Sequence, residues 1–161
     1  MDVVFHAGNL GYLCDLARAI GKPGGMDDNI YGGGNHFANG PDGKLYISVG
    51  DGSNAPKVQL MTSVLGKILR INDDGSIPED NPFYDQTSGI YRAIYALGFR
   101  NSFSMAIQPG TGRIMATEVG SASWEEVNDI LPGMNYGWPI IEGPLEPLVG
   151  IGCGGIAGQA H

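Results

Sequence analysis

Charge is scarce in this sequence of 161 residues, in which Asp, Glu, Lys and Arg together make up 16%. An average globular chain has about 25%. The nine basic residues form no cluster and the formal net charge is −8, which excludes binding to a nucleic-acid backbone, because such binding needs a basic stripe. The sequence has no run of about 18 apolar residues, and it therefore predicts no membrane span.

Cysteine is also scarce. Cys14 and Cys153 have no short metal-ligand spacing, and nothing in the sequence supports a disulfide between them. Hydrophobic residues make up 42% of the chain, which is enough for a core and excludes an intrinsically disordered protein. Glycine, in contrast, is abundant, with 27 residues beside 10 prolines. This frequency of glycine breaks long helices, so the composition predicts a turn-rich, mostly β protein.

Short alternating segments between Gly and Pro turns predict the strands. In Lys44–Val49, the side chains of Leu45, Ile47 and Val49 share one face. A Pro/Gly turn, a basic residue and a strand occur at 41–50 and again at 109–120, and such repeats are typical of a β-propeller, with a β-sandwich as the alternative. The other predicted strands are Gly66–Asn72, Ala93–Leu97, Phe103–Ile107 and Arg113–Val119.

The first 31 residues differ from the rest. A strand is predicted for Val3–Phe5, and the spacing of apolar residues predicts a short helix over Leu10–Ile20. A helical turn is predicted over Val58–Leu65. We therefore divide the chain into an atypical N-terminal segment, 1–31, and a β domain, 32–161.

Two apparent motifs fail when their surroundings are considered. Residues 150–155 match G-x-G-x-x-G, but only six residues follow, too few for the helix that a dinucleotide fingerprint needs. Asn72–Gly75 resembles a calcium loop, but the first ligand position of an EF-hand is occupied by Arg70. We expect a solvated turn there.

His36 and the pair Arg100-Asn101 are candidate site residues. A lone histidine is more often structural, but His36 lies in a Gly/Asn-rich loop beside a predicted strand, where catalytic groups usually lie. Its side chain could take a proton near neutral pH. Arg100-Asn101 lies between two predicted strands, either as an exposed turn or as a cation and an amide facing an anionic ligand.

Acidic and aromatic residues follow the last predicted strand. Glu125 and Glu126 suit a hard cation, or else the first turn of a helix, where the dipole favours acids. In the segment 135–139, Tyr136 and Trp138 flank a glycine before a proline. We expect these aromatics to anchor an edge of the core.

Taken together, six segments identify a family. The set resembles the glucose/sorbosone dehydrogenase family over about Gly32 to Pro144, and that family consists of soluble quinoprotein sugar dehydrogenases that use pyrroloquinoline quinone. The resemblance implies an all-β, six-bladed propeller of which this chain supplies about three blades. The segments, in order, are GPDGKLYISVGD, LGKILRINDDGSIPEDNPFY, IYALGFRNSF, QPGTGRIMATEVG, SWEEVN and NYGWPIIEGP.

The resemblance also implies a sugar-oxidising site with two cofactors, the quinone and calcium. His36 is implied as the general base, which takes the proton of the sugar's anomeric hydroxyl while hydride goes to the quinone. Asn35 would lie near the sugar. Arg100 and Asn101 match the family's Arg-Asn pair at the quinone, with Asn101 as the contact.

Calcium would bind at two places by the same resemblance. The carbonyls of Gly120 and Ser121 match those that hold the catalytic calcium, which acts as a Lewis acid on the quinone. Glu126 and the Tyr136 carbonyl match a second, structural calcium site. The implied partners are an aldose sugar, an external electron acceptor and the remaining blades, in a periplasmic or secreted location, although the chain itself shows no export signal.

The chain departs from the family pattern in two respects. The loop after His36 is about four residues short, and an ungapped alignment puts Gly32 at the histidine position. The length fits a fragment, a truncation or a mispredicted reading frame, so we expect little or no sugar oxidation by this chain alone. The alternative function is a non-catalytic propeller module that binds carbohydrate or protein.

Overall fold

Residues 37–143 are described here from a computed structural model, and they form strands and short 3-10 helices without an α-helix. The strand predicted at 3–5, the helix predicted at 10–20, both cysteines and the 150–155 motif lie outside this range. The 3-10 helices span Ala55–Lys57, Tyr84–Gln86 and Gly89–Ala93. The strands are β1 (Phe37–Asn39), β2 (Leu45–Val49), β3 (Lys67–Ile71), β4 (Ile94–Leu97), β5 (Ser102–Ile107), β6 (Ile114–Glu118) and β7 (Glu126–Ile130).

The strands form two antiparallel sheets in which each strand pairs with its neighbour in sequence. Sheet 1 has the order β1-β2-β3-β4 and sheet 2 the order β5-β6-β7. Typical register pairs are Ile47 with Leu69 in sheet 1 and Ala116 with Asn128 in sheet 2. This confirms the all-β class, and consecutive meanders of this kind are blades of a partial propeller. Residues 37–143 hold two blades, so a third would involve residues outside that range.

Sheet 1 is buried on both faces. Leu45, Ile47 and Val49 share one apolar face as predicted, and side chains from the β3–β4 connection, including Phe83, cover it. The opposite face packs on sheet 2, whose other face meets solvent at Phe103 and Val127. The cluster between the sheets comprises Tyr46, Ile68, Ala96, Phe99, Met105, Ile114, Ala116 and Ile130.

Two cations are buried in β3. Lys67 is fully buried, and its Nζ donates hydrogen bonds to the carbonyls of Val58 and Leu65. Arg70 is 6% exposed and donates to Asp42 (Nε to Oδ2, 2.9 Å) and to Asp80 (Nη1 to Oδ1, 2.8 Å). Buried charges need such partners. Through its two carboxylate partners, Arg70 holds the turn before β2 and the loop after β3 against the sheet.

Five predicted strands, β2 to β6, are confirmed to within one residue at each end. The helical turn predicted over Val58–Leu65 is wrong: a 3-10 turn ends at Lys57, with Pro56 in its first positions, and irregular turns follow. The predicted turn at Asn72–Gly75 is confirmed by a hydrogen bond from the Gly75 N–H to the Asn72 carbonyl, 3.0 Å. Strands β1 and β7 were not predicted.

No helix within residues 37–143 has the length and apolar character needed to cross a bilayer.

Candidate cofactor and metal site

A pocket opens beside the β4–β5 connection and the end of β6. Oxygen-bearing side chains and two tryptophans surround it, which is a suitable lining for a polar ligand that also has a flat ring. The residues that line it are Gly98, Arg100, Glu118, Gly120, Trp124, Glu126, Asn128, Tyr136, Trp138, Ile141 and Glu142.

Arg100 and Asn101 form the turn between β4 and β5. Both of their backbone N–H groups donate to Oε1 of Glu118, and the Asn101 bond is 3.0 Å long. The Nη1 of Arg100 donates to the carbonyls of Val119, at 3.1 Å, and Gly120, at 2.7 Å. Arg100 therefore binds the segment that the resemblance assigns to calcium. Neither interpretation of Arg100-Asn101 from the sequence, an exposed turn or a contact to an anionic ligand, included these bonds.

Glu118 ends β6 with a buried carboxylate. Only 6% of the residue is exposed, and among residues 37–143 its Oε2 has no hydrogen-bond partner. Burial raises the pKa of this carboxyl to about 7, against the lowering effect of the two backbone N–H groups, and nearby Glu126 raises it further. An unpaired buried oxygen at the pocket is a place where a ligand or cation could compensate the desolvation.

Gly120 and Ser121 begin a loop that is closed by Glu142. The Oε1 of Glu142 accepts from the N–H groups of Ser121 and Ala122, the latter at 3.0 Å, and these bonds lower the pKa of Glu142. A Cβ on Gly120 would overlap the carbonyl oxygen of Trp124. The loop leads into strand β7, so the alternative of a helix N-terminus at Glu125 and Glu126 is wrong.

Glu126 and Tyr136 both line the pocket. Oε1 of Glu126 accepts from the Gly143 N–H at 2.6 Å. The Tyr136 ring stacks on Phe99 with centroids 4.7 Å apart, and its hydroxyl accepts from the Leu131 N–H at 2.9 Å. Tyr136 also packs against the cluster between the two sheets, which confirms the predicted aromatic anchor for this ring, and burial raises the pKa of its hydroxyl to about 12.

The oxygen donors of the site suit calcium. Within residues 37–143, no three His, Cys, Asp or Glu side chains converge as a metal cluster, so a cation would need backbone carbonyls as well. Three hard donors lie at one pocket: the Gly120 carbonyl, which also accepts from Arg100, the Glu126 carboxylate, and Oε2 of Glu118, which has no partner within 37–143. Calcium prefers such oxygens, whereas softer metals prefer nitrogen and sulfur.

The structure brings together Arg100, Gly120, Glu126 and Tyr136 of the implied site. Asn101 and Ser121 adjoin them in sequence, whereas His36 and Asn35 lie outside the described residues. Sequence reasoning missed Glu118 and Glu142. For Glu118 a signal existed: it follows Ile114 and Ala116 at strand spacing, which places a carboxylate on the buried face of β6.

The two antiparallel sheets are blades of an all-β propeller, and carboxylates line the pocket beside them. The chain is therefore similar to β-propeller proteins with a polar ligand site. The chain belongs to the glucose/sorbosone dehydrogenase family, whose model matches residues 22–146.

Named relatives agree with that assignment. The chain is 38% identical to the aldose sugar dehydrogenase YliI of Escherichia coli, over 66% of this chain and 30% of that protein. It is 37% identical to quinoprotein glucose dehydrogenase B of Acinetobacter calcoaceticus, over 65% of this chain and 25% of that protein. The chain thus spans less than a third of the length of these relatives.

A solved structure gives the same result. The PQQ-bound form of the aldose sugar dehydrogenase from Streptomyces coelicolor superposes with a TM-score of 0.64 at 36% identity, covering 74% of this chain and 34% of that one. Because the identity is well above the level of fold similarity alone, the comparison of individual residues is meaningful.

Proposed function

We propose that this chain is part of a quinoprotein dehydrogenase that oxidises aldose sugars to lactones, with pyrroloquinoline quinone and calcium as cofactors. One observation carries the proposal. The segment assigned by resemblance to the quinone, Arg100-Asn101, and the segment assigned to the catalytic calcium, Gly120, are hydrogen-bonded to each other at one pocket. The relatives named as aldose sugar and quinoprotein glucose dehydrogenases support the same activity.

The reaction removes two electrons and two hydrogens from the sugar. His36 takes the proton of the anomeric hydroxyl, the C1–O bond becomes a carbonyl, and C1 gives up its hydrogen with the bonding electrons. When bound, the quinone supplies the two-electron acceptor for that hydride, polarised by calcium. Asn35 would contact the sugar, and the complete protein would need an external electron acceptor.

The chain's own residues bind and orient these groups. Asn101 contacts the quinone, and Arg100 places a cation beside it; its guanidinium has five N–H donors, of which Nη1 makes the two carbonyl bonds. The carbonyls of Gly120 and Ser121 hold the catalytic calcium. Glu126 and the Tyr136 carbonyl hold the structural calcium. We place the working site in the β domain, 32–161, in a periplasmic or secreted protein, where calcium is available.

Titration of the purified 161-residue chain with the quinone, with calcium or with a chelator, tests the proposal. We expect calcium-dependent binding that weakens at least about tenfold in Asn101→Ala, because the proposed polar contact to the quinone is lost. Dye reduction with aldoses should stay low in this chain, since the described residues form two blades of an implied six.

The alternative is a carbohydrate- or protein-binding module. The loop after His36, which is short by comparison with the family, favours it. Circular dichroism verifies that the chain is folded. If the folded chain binds oligosaccharides but no quinone at any calcium concentration, the dehydrogenase proposal is overturned in favour of this alternative.

A further inference from the structure

Glu118 joins two segments that the sequence keeps apart. Its Oε1 accepts the backbone N–H of Arg100 and, at 3.0 Å, that of Asn101. Successive N–H groups of an extended strand point in opposite directions, so two that share one acceptor mark a non-extended turn. The neighbouring strand cannot satisfy both of these N–H groups, and the carboxylate does so instead.

The sheet itself explains why a side chain is needed there. The β5–β6 ladder has an irregularity between Ser102 and Ser104, while Ser102 stays paired with Glu118. Beyond that pair, the Val119 N–H donates to the Asn101 carbonyl at 2.9 Å. The Asn101 carbonyl is therefore held by the main chain, and its N–H by the carboxylate.

A second link runs in the opposite direction. The Arg100 guanidinium donates to the Gly120 carbonyl at 2.7 Å and to that of Val119 at 3.1 Å. The two segments thus clamp each other: a side chain from each binds the main chain of the other. A rotation of the Arg100-Asn101 turn would break bonds on both sides.

We propose that Glu118 is a positioning residue which, through Arg100 and Asn101, fixes the quinone-contacting turn relative to the calcium-binding carbonyl of Gly120. The inference rests on the proposed function for its ligand, but the hydrogen bonds on which it depends exist without any ligand. Glu118 is 6% exposed, and its carboxylate supplies the acceptor that an aliphatic side chain at this buried position would lack.

The first measurement is amide hydrogen exchange by NMR on the 161-residue chain. In Glu118→Ala, we expect the Arg100 and Asn101 amides to exchange at least about tenfold faster, while the Ala116 amide in the same strand stays protected. Glu118→Gln keeps an oxygen that can accept both bonds and should restore the protection. Unchanged exchange at residues 100 and 101 in Glu118→Ala would overturn the proposal.

The second measurement is quinone affinity with calcium present. We expect Glu118→Ala to weaken binding at least about tenfold and Glu118→Gln to stay within about threefold of the parent chain. Ile114→Ala, a core truncation in the same strand, is the control for general destabilisation. Equal losses in Glu118→Ala and Ile114→Ala would make Glu118 merely structural. If the parent chain binds no quinone, the proposed function fails, and the exchange data still decide whether Glu118 holds the turn.

Discussion

The indole Nε1 of Trp138 donates a hydrogen bond of 3.0 Å to Oδ2 of Asp51, across 87 residues of sequence. Asp51 also donates its N–H to the Arg100 carbonyl at 2.7 Å, and the Arg100 guanidinium lies 5.8 Å from the Trp138 ring centroid. The loop after β2, the cofactor turn and the aromatic turn therefore share one network. Since Arg100 and Trp138 both line the pocket, this network holds part of the pocket wall in place.

Loss of this bond should destabilise the protein. Trp138→Phe keeps an aromatic ring, although a smaller one, but leaves the Asp51 carboxylate, in a residue that is 8% exposed, without its indole donor. We expect the free energy of unfolding in urea to fall by about 1–2 kcal/mol. Trp124→Phe, at a ring 49% exposed, is the matched control and should change little. A larger loss in the control would contradict the assignment.

The buried amine of Lys67 should make stability depend on pH. Burial lowers its pKa from 10.5 to about 8. Above that pH the folded state has released the proton, while the unfolded state still holds it up to about 10.5, so the free energy of unfolding should rise with pH in this window. The neutral amine still has two N–H donors for the carbonyls of Val58 and Leu65.

Urea unfolding at intervals from about pH 8 to about pH 10.5 measures this rise, because these are the pKa values of Lys67 in the folded and unfolded chain. Lys67→Met should lose the rise, and the control Lys57→Met, on the first 3-10 helix, should keep it. The same slope in the parent chain and in Lys67→Met would show that another group is responsible.

Arg70 should not be replaceable by lysine. Its guanidinium group donates hydrogen bonds to Asp42, Asp80 and Asn81 at the same time. A lysine ammonium cannot reproduce that planar arrangement of donors. We expect Arg70→Lys to lower the free energy of unfolding by about 2 kcal/mol. Arg113→Lys, in an exposed pair with Asp129, is the control and should have a clearly smaller effect; equal effects would mean that burial of Arg70 is unimportant.

Gly120 should not tolerate a methyl group. In Gly120→Ala, the Cβ would overlap the Trp124 carbonyl, so the loop must shift, and we expect destabilisation of about 2 kcal/mol. Gly89→Ala, where the added atom meets open space at φ +55°, should cost about 1 kcal/mol from backbone strain alone.

Thermal unfolding with and without calcium separates these two variants. The stabilisation by calcium that we expect for the parent chain should disappear in Gly120→Ala and persist in Gly89→Ala. Persistence in both would remove the Gly120 carbonyl from the calcium site.

Alternation of apolar residues was enough to predict β2 to β6, because those strands bury one or both faces in a hydrophobic core. β7 (EVNDI) was missed because its inward positions include Asn128, 7% exposed, and Glu126, which face the pocket rather than the core. Polar residues at inward positions carry no apolar signal. The segment becomes a strand by pairing with β6, which is a tertiary effect.

The candidate site, like the fold, could be predicted from the sequence only in part. The resemblance selected Arg100, Gly120, Glu126 and Tyr136 for three different roles, and the structure places all four at one pocket. It could not predict that Arg100 binds the Gly120 carbonyl, because that contact depends on the turn conformation which Glu118 imposes. Single-residue motifs identify chemistry, whereas the links between motifs depend on the packing of two sheets.

Burial of both faces of sheet 1, but of only one face of sheet 2, has a consequence for mutational tolerance. In a library of random substitutions, β2 and β3 should accept polar residues at hardly any position, since all ten of their residues are buried. In this chain alone, β5 should accept them at Phe103 and β7 at Val127, which are exposed. In a complete propeller the next blade would cover that face, so the same two positions should become intolerant of polar residues there.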